Sequence, residues 1–505
     1  LLWFWGGNVR ADTPADTQAP AFDAVMVGSV IGAALAFMAP RILDPVPVPE
    51  LAAWGLGGLT ALDPGLTVSI GPGRLRLTMQ TGTAQPEIVG EAIAPEGADP
   101  YEWGRSAASL CAAAWRASQL VRSSGQQAML QSFFDELFNH LDPYSRYVAP
   151  APADVDRDRR QGGGDIGATL SDGRHGPQFD AIAPDGPAAA AGITAGSRLL
   201  EIDGADASGM TAASAHALLV GEVGTDVTLR LRSPHGRVRD LTLQRAFVAP
   251  ETVSGTSVGH LLIVKVGGFA RDTAEQMSGL LDEGLHRFHP TGVIIDLRGN
   301  RGGLLQQAVT AAALVLDDGV AVTTRGRYPQ SNHVWSVQGG DLTHGLPLVV
   351  LVDGRTASAA EILAAALADH GRAVVAGSST LGKGLVQTIL QLPDGGELFV
   401  TWSRVLAPLG WPVQGLGVLP QLCTSQGAAS VDSQMRALDA GSSDLHQALT
   451  AERNARPPLP VQRILEIRAA CPAAIGTDED LAAARALLAD PVAYQTAIGS
   501  LPQME

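Results

Sequence analysis

Apolar and polar positions follow several different periods along the chain, and each period predicts a different kind of element. Residues 24–39 (AVMVGSVIGAALAFMA) form an apolar run that stops at Pro40. As a helix at ~1.5 Å per residue it reaches about 24 Å, short of the ~30 Å core of a bilayer. A helix buried in protein is therefore expected, with a membrane-associated segment as the lesser reading. The stretch LTVSIGPGRLRLTMQ predicts a small sheet. Residues 101–150 read as helices. Leu130, Phe133, Phe134, Leu137 and Leu141 recur at helical spacing, and LDPYSRYVAP closes the run with turn residues.

Gln161-Gly-Gly-Gly164 marks a boundary. From Asp165 to about Val248 short strands alternate (IGATL, FDAIA, RLLEIDG, DVTLRLRS, RDLTLQRA), with a helix-like stretch at Ala212–Leu219. Strands broken this often by Gly and Asp predict a compact β-rich module. Beyond Pro250 the pattern changes to continuous β-branched runs: LLIVKV, GVIIDL, LPLVVLVD and AVVAG. Helical stretches separate them (AEQMSGLLDEGLHRF, LLQQAVTAAALVL, SAAEILAAALADH). This alternation predicts an α/β layer with a largely buried sheet. After Cys423 the chain is Ala-rich and helical to its end.

Length and composition narrow the function. A chain of 505 residues exceeds one core and implies several domains. Its net charge of −16 and lack of a basic run exclude a phosphate-backbone binder, so no nucleic-acid partner is expected. Three cysteines exclude a disulfide-scaffold mini-protein and a four-thiolate zinc site. Cys423 and Cys471 lie close to the end and Cys111 far from both. One bridge between the late pair would suit an oxidising periplasm; three buried thiols is the alternative. Leu1-Leu2-Trp3-Phe4-Trp5 reads either as the tail of an export signal or as an apolar terminus.

Several chemical motifs fail on context. Gly255-Thr-Ser-Val-Gly259 matches Gly-x-Ser-x-Gly, but a strand-like run follows at once, and a turn is expected. Gly377 to Gly384 (GSSTLGKG) nearly matches a phosphate-binding loop. Gly384 lacks the hydroxyl for magnesium, and LVQTILQL reads as a strand. His286 and His289 read as a solvated helix face rather than metal ligands.

Ser358 fares better. It sits in Arg355-Thr-Ala-Ser-Ala-Ala-Glu361, after a buried strand and at the start of a helix. There the free amides of the first turn can stabilise an oxyanion. The bland reading is a capping box between Ser358 and Glu361. A hydroxyl needs a base, and Lys383 could serve if burial keeps its amine neutral. In an extended run Lys383, Leu385 and Gln387 share one face, so Gln387 could orient the amine. Asp296-Leu-Arg-Gly-Asn-Arg-Gly-Gly303 follows another strand, and its paired glycines could aim the amide of Gly302 or Gly303 at a carbonyl oxygen. The alternative there is a tight turn with Asp296 and Arg298 paired.

Together these segments resemble the C-terminal processing peptidases, the tail-specific serine proteases of family S41, from about Leu141 to Pro420. LDPYSRYVAP resembles that family's Leu-Asp-Pro-x-Ser-x-Tyr segment, and residues 165–247 look like its PDZ domain. DLRGNRGG, TASAAEI and LGKGLVQ resemble its three catalytic segments, and residues 407–420 its closing segment. The resemblance implies an α/β, multidomain chain: a protease core of the ClpP/crotonase-like kind at 249–425 and an inserted PDZ domain at 161–248. The remainder would be a helical part at 104–160, an N-terminal extension at 1–103 and a helical C-terminal extension at 426–505.

It implies Ser358 as nucleophile, Lys383 as general base and Gln387 as the group orienting it. The Ala359 amide would form the oxyanion hole with that of Gly302 or Gly303, and Asp165, Ile166 and Gly167 would hold the carboxylate of a peptide tail. It implies no metal and no cofactor. Expected partners are proteins or peptides with free, apolar C-termini; an envelope adaptor and a homo-oligomer are left open. The implied location is periplasmic or otherwise exported. Asp369 is expected to be structural. Asp353, Ala360 and Leu409-Gly410-Trp411-Pro412 depart from the family pattern. The competing readings are an inactive PDZ scaffold on a protease fold and, less favoured, a nucleotide-binding protein.

Overall fold

The computed structural model describes residues 21–501 apart from Pro184, so the apolar start at residues 1–5 lies outside the described residues. The chain divides into two compact units, residues up to Pro150 with Ile389–Val400, and the rest.

In the first unit the apolar run forms the helix Ala24–Met38, started by the Asp23 carboxylate, which accepts from the amides of Val25 and Met26. Its Val27, Val30, Ile31, Leu35 and Met38 are buried in a core shared with the helices Pro100–Ala117 and Gln119–Asn139. Among the described residues no helix is long and apolar enough to cross a membrane. The predicted small sheet has three antiparallel strands, Leu66–Gly71, Arg74–Met79 and Glu87–Ile93. Leu130, Phe133, Phe134 and Leu137 are buried as their spacing predicts. The end of LDPYSRYVAP departs from a pure turn: Arg146–Val148 is a short strand paired with Glu397–Phe399. The Tyr147 hydroxyl donates to Asp394 (2.5 Å) and accepts from Gln127 (2.7 Å), which ties the 389–400 segment into this unit.

The second unit holds the β-rich module. Its strands are ordered Val238–Gln244, Asp226–Arg232, Arg198–Ile202, Gly176–Ile182 and Ala168–Gly173, with the last at an edge. The predicted helix Ala212–Leu219 packs Ala215 and Leu219 into the module's core beside Ile166, Ala168 and Phe179. The strands that enter and leave the module, Gly163–Asp165 and Ala246–Val248, pair with each other.

The α/β layer is built on a sheet ordered Val253–Val258, Leu261–Val266, Gly292–Asp296, Leu348–Val352, Val374–Gly377 and Leu422–Cys423. Only the first pair is antiparallel. Alternate side chains serve two cores. Leu262, Val264, Val293, Ile295, Leu348, Val350 and Val352 meet Met277, Leu281, Ala308, Leu363 and Leu367 of three helices. Ile263, Ile294, Val349, Leu351, Val374 and Ala376 meet Leu438, Ala484, Leu487 and Tyr494 of the C-terminal helices. The central strands Leu348–Val352 and Val374–Gly377, covered on both faces, read as unbroken apolar runs in the sequence.

The Gly-x-Ser-x-Gly match was expected to be a turn and is instead the strand Val253–Val258, paired residue by residue with Leu261–Val266. The turn begins at Gly259, whose φ is +62°. Glycine and serine hid the strand because they carry little β signal, while the cross-strand ladder supplies the order.

Candidate active site

Three loops leave the carboxyl ends of three neighbouring parallel strands: 297–304 after Gly292–Asp296, 353–358 after Leu348–Val352, and 378–384 after Val374–Gly377. Adjacency in the sheet brings them together at the end where α/β sites form. Hydrogen bonds join each to the next. The Ala357 amide donates to Asn300 O (2.9 Å), and Leu381 N donates to Thr356 O (2.9 Å).

Asp353 organises the middle loop. Its Oδ1 accepts from the amides of Gly299 (2.9 Å), Arg355 (3.0 Å) and Thr356 (3.0 Å). Burial pushes this carboxyl up, but the backbone donors of Gly299, Gly476 and Arg355 outweigh it and hold it below the usual range. Ser358 then takes φ +58° and ψ −118°, a conformation costly for a residue with a Cβ, and opens the helix Ala359–Asp369. It is partly exposed, whereas Ala357 and Ala359 on either side are buried.

Glu361 joins two of the loops. Fully buried, it accepts at Oε2 from the amides of Ser358 (2.7 Å) and Lys383 (2.9 Å), and at Oε1 from Gly382 N (2.7 Å) and the Thr380 hydroxyl. The amide nitrogens of Ser358 and Lys383 therefore lie no farther apart than the sum of their distances to one oxygen. Burial pushes the Glu361 carboxyl up, opposed by its four donors. In the sequence Glu361 reads only as half of a capping box. Its position within Ser-x-x-Glu was the available signal, but its reach to residues 380–383 depends on the tertiary fold. Glu361→Ala would strand the buried amide of Gly382 and the partly buried amides of Ser358 and Lys383, at up to about 1–3 kcal/mol each, so urea unfolding should show a loss of stability of a few kcal/mol. Glu361→Gln keeps one acceptor oxygen and should lose less. Equal stability of Glu361→Ala and wild type would remove this assignment.

The glycine pair approaches the serine directly. A Cβ on Gly302 would lie 2.8 Å from Ser358 Cβ and 2.9 Å from Ala359 N, so no side chain fits there. The Gly302 amide donates to Asn300 Oδ1 (2.8 Å), and Asn300 in turn donates to Val266 O (2.8 Å). Among the described residues the amides of Gly303 and Ala359 meet no acceptor. The Asp296–Arg298 pair is also formed (2.7 Å), and Arg298 continues to Asp480 (3.2 Å).

Lys383 is partly buried and precedes the strand Leu385–Gln391. That strand follows GSSTLGKG directly, so no helix N-terminus faces a phosphate there. Both Gln387 Nε2 protons are engaged, with Leu385 O (3.2 Å) and Thr401 Oγ1 (3.0 Å), which leaves its carbonyl oxygen as an acceptor. The closing segment supports this loop through Gly415 N to Gly382 O (2.9 Å) and Gln414 Oε1 from Gly384 N (2.9 Å). Asp369 accepts from Trp411 Nε1 (2.8 Å) and Arg453 (3.1 Å), deep in the core.

In the β-rich module Ile166 and Gly167 precede the edge strand Ala168–Gly173, which lies beside the helix Ala212–Leu219. Asp165 Oδ1 accepts from the Ile166 amide (2.5 Å) and the Gly167 amide (3.2 Å), while Oδ2 faces His216 (3.8 Å). The donors expected to take a tail carboxylate thus hold a carboxylate of the chain itself.

The model of peptidase family S41 matches residues 260–423, and that of a PDZ domain matches residues 178–245. A carboxy-terminal-processing protease of Bartonella bacilliformis is 32% identical over 315 residues, covering 61% of this chain and 72% of that protein. A carboxyl-terminal-processing protease of Picosynechococcus sp. is 37% identical over 246 residues, covering 47% of this chain and 58% of that protein. Among solved structures, the photosystem II D1 C-terminal processing protease is 28% identical with a TM-score of 0.35, covering 63% of this chain and 92% of that one. With one family model matched to the region of the three loops, another to the β-rich module before them, and the Bartonella protease 32% identical over 72% of its length, the chain belongs to peptidase family S41 and carries a PDZ domain.

Proposed function

We propose that the chain is a serine endopeptidase that processes proteins recognised by their C-terminal tails, with Ser358 and Lys383 as its reacting pair. One observation carries this reading: the same buried carboxylate oxygen of Glu361 binds the amides of Ser358 and Lys383. The Ala359 amide, next to Ser358, and the Gly303 amide, next to the glycine that packs on Ser358, have no acceptor among the described residues and are the better oxyanion donors, because Gly302 already serves Asn300.

In the cycle the neutral amine of Lys383 takes the Ser358 proton as Oγ attacks the peptide carbonyl. The oxyanion forms at the two amides. Collapse expels the peptide amine, which receives its proton from the Lys383 ammonium. Water then attacks the acyl ester, gives a proton to Lys383, and restores Ser358 as the carboxylic acid leaves. Gln387 accepts from the lysine amine and keeps it aimed without adding charge. The Cys423–Cys471 disulfide supports an oxidising, exported location for the enzyme.

The PDZ domain takes the tail as an added strand on the edge Ala168–Gly173, with its carboxylate at Ile166 and Gly167. That carboxylate must displace the Asp165 oxygen and tolerate its charge. Peptides identical but for a free or amidated C-terminus test the reading. The free acid should be cleaved at least tenfold faster at low concentration, and Asp165→Asn should lower its KM several-fold without helping the amide. Equal cleavage of acid and amide by the wild type would contradict tail recognition.

A further inference from the structure

The matched family region ends at Cys423, yet the chain beyond it reaches back to all three loops of the site. Arg468 closes the helix Val461–Arg468 and donates to Thr380 O (2.8 Å) and to Leu416 O. Ser379 Oγ donates to Cys471 O (2.5 Å). Ser378 Oγ donates to Ala474 O and accepts from Ala474 N, both at 3.0 Å. Ala474 O also accepts from Gly354 N (2.7 Å), and Gly476 N donates to Asp353 Oδ2 (3.1 Å). Arg298 donates to Thr477 O and Asp480. Residues 468–480 therefore bond to the loop carrying Lys383, to the turn leading to Ser358, and to the loop carrying the glycine pair.

This stretch is itself anchored. Cys471 is bridged to Cys423 on the last strand of the sheet, and both are buried. The Asp478–Ala489 helix that follows has a capping box at Thr477 and Asp480. The stretch thus has a covalent anchor inside it and a capped helix at its far end, with loop contacts between.

We propose that residues 468–480 form a positioning strap that sets the catalytic loops in register, so that turnover depends on a segment outside the family core. The proposal rests on the reading of Ser358 and Lys383 as the reacting pair. The physical ground is that reacting groups displaced by about 1 Å can lose on the order of 100-fold in rate, so loops of this kind need outside support. Ser378 and Ser379 touch the strap and lie five and four positions before Lys383, so freeing them moves the base before anything else.

The test uses the full chain and a peptide with a free apolar tail. The double variant Ser378→Ala, Ser379→Ala removes two anchors and keeps the disulfide. A second variant, Cys423→Ser with Cys471→Ser, removes the covalent tie. Both should lose at least tenfold in kcat with KM within twofold of wild type. The acid limb of the kcat profile should move to higher pH, because water reaching a loosened lysine favours its charged form. A merely structural role would lower the melting temperature and leave that limb in place. A folded serine double variant with kcat within twofold of wild type and an unmoved acid limb overturns the strap, whether or not the cysteine variant folds. Cleavage surviving in Ser358→Ala would instead overturn the reading of the reacting pair.

Discussion

Ser358→Ala should abolish peptide cleavage, with kcat falling on the order of 10⁴–10⁶-fold, while tail binding stays within twofold of wild type. The two effects separate because the serine belongs to the α/β layer and the proposed tail site to the inserted module. A scaffold without catalytic function would show no cleavage in wild type either, so the pair of proteins decides between the readings. The backbone adds a stability signature. Ser358 holds φ +58°, which alanine must also adopt at similar cost. Ser358→Gly relieves that strain and should be more stable than Ser358→Ala by about 1 kcal/mol, visible as a melting temperature higher by roughly 2 °C. A glycine variant melting below the alanine variant would mean that the strain is not stored there.

Lys383→Ala should cost about 10²–10⁴ in kcat, the range expected for a general base. Lys383→Arg should fare no better, because a guanidinium stays protonated and cannot accept the serine proton. A small primary amine added to Lys383→Ala should restore part of the rate, and the restored rate should rise with pH as that amine loses its proton. In the wild type, kcat should rise with pH on the acid side as the Lys383 ammonium becomes neutral. Neither rescue nor an acid limb would be expected if Lys383 were an ordinary loop residue. A Lys383→Ala enzyme within tenfold of wild type would remove it from the mechanism.

Much of this architecture was legible because its signals are local. Leu348–Val352 is a strand buried on both faces and apolar at every position, and Leu261–Val266 is broken only by the exposed Lys265. Ala212–Leu219 formed the expected helix, and the loops after three neighbouring parallel strands each carried their own motif. What escaped depends on groups far apart in sequence. Glu361 reads as a cap until the loop at 380–383 folds onto it. Asp165 reads as part of a carboxylate site until its own oxygen is seen on the Ile166 and Gly167 amides. The Ala-rich tail has a weak pattern because its small residues fill a sheet face, and no local rule shows that they cover Ile263, Ile294 and Val349. The bridge was open in the sequence because pairing needs the 5.7 Å Cα separation that only the fold supplies to Cys423 and Cys471.

The most direct test is to treat the wild-type protein with a fluorophosphonate, which phosphonylates an activated serine hydroxyl with loss of fluoride, and to map the adduct by mass spectrometry. One adduct is expected, on Ser358, formed at least a hundredfold more slowly in Lys383→Ala. An adduct on another serine, or labelling of Ser358 at the same rate without Lys383, would contradict it.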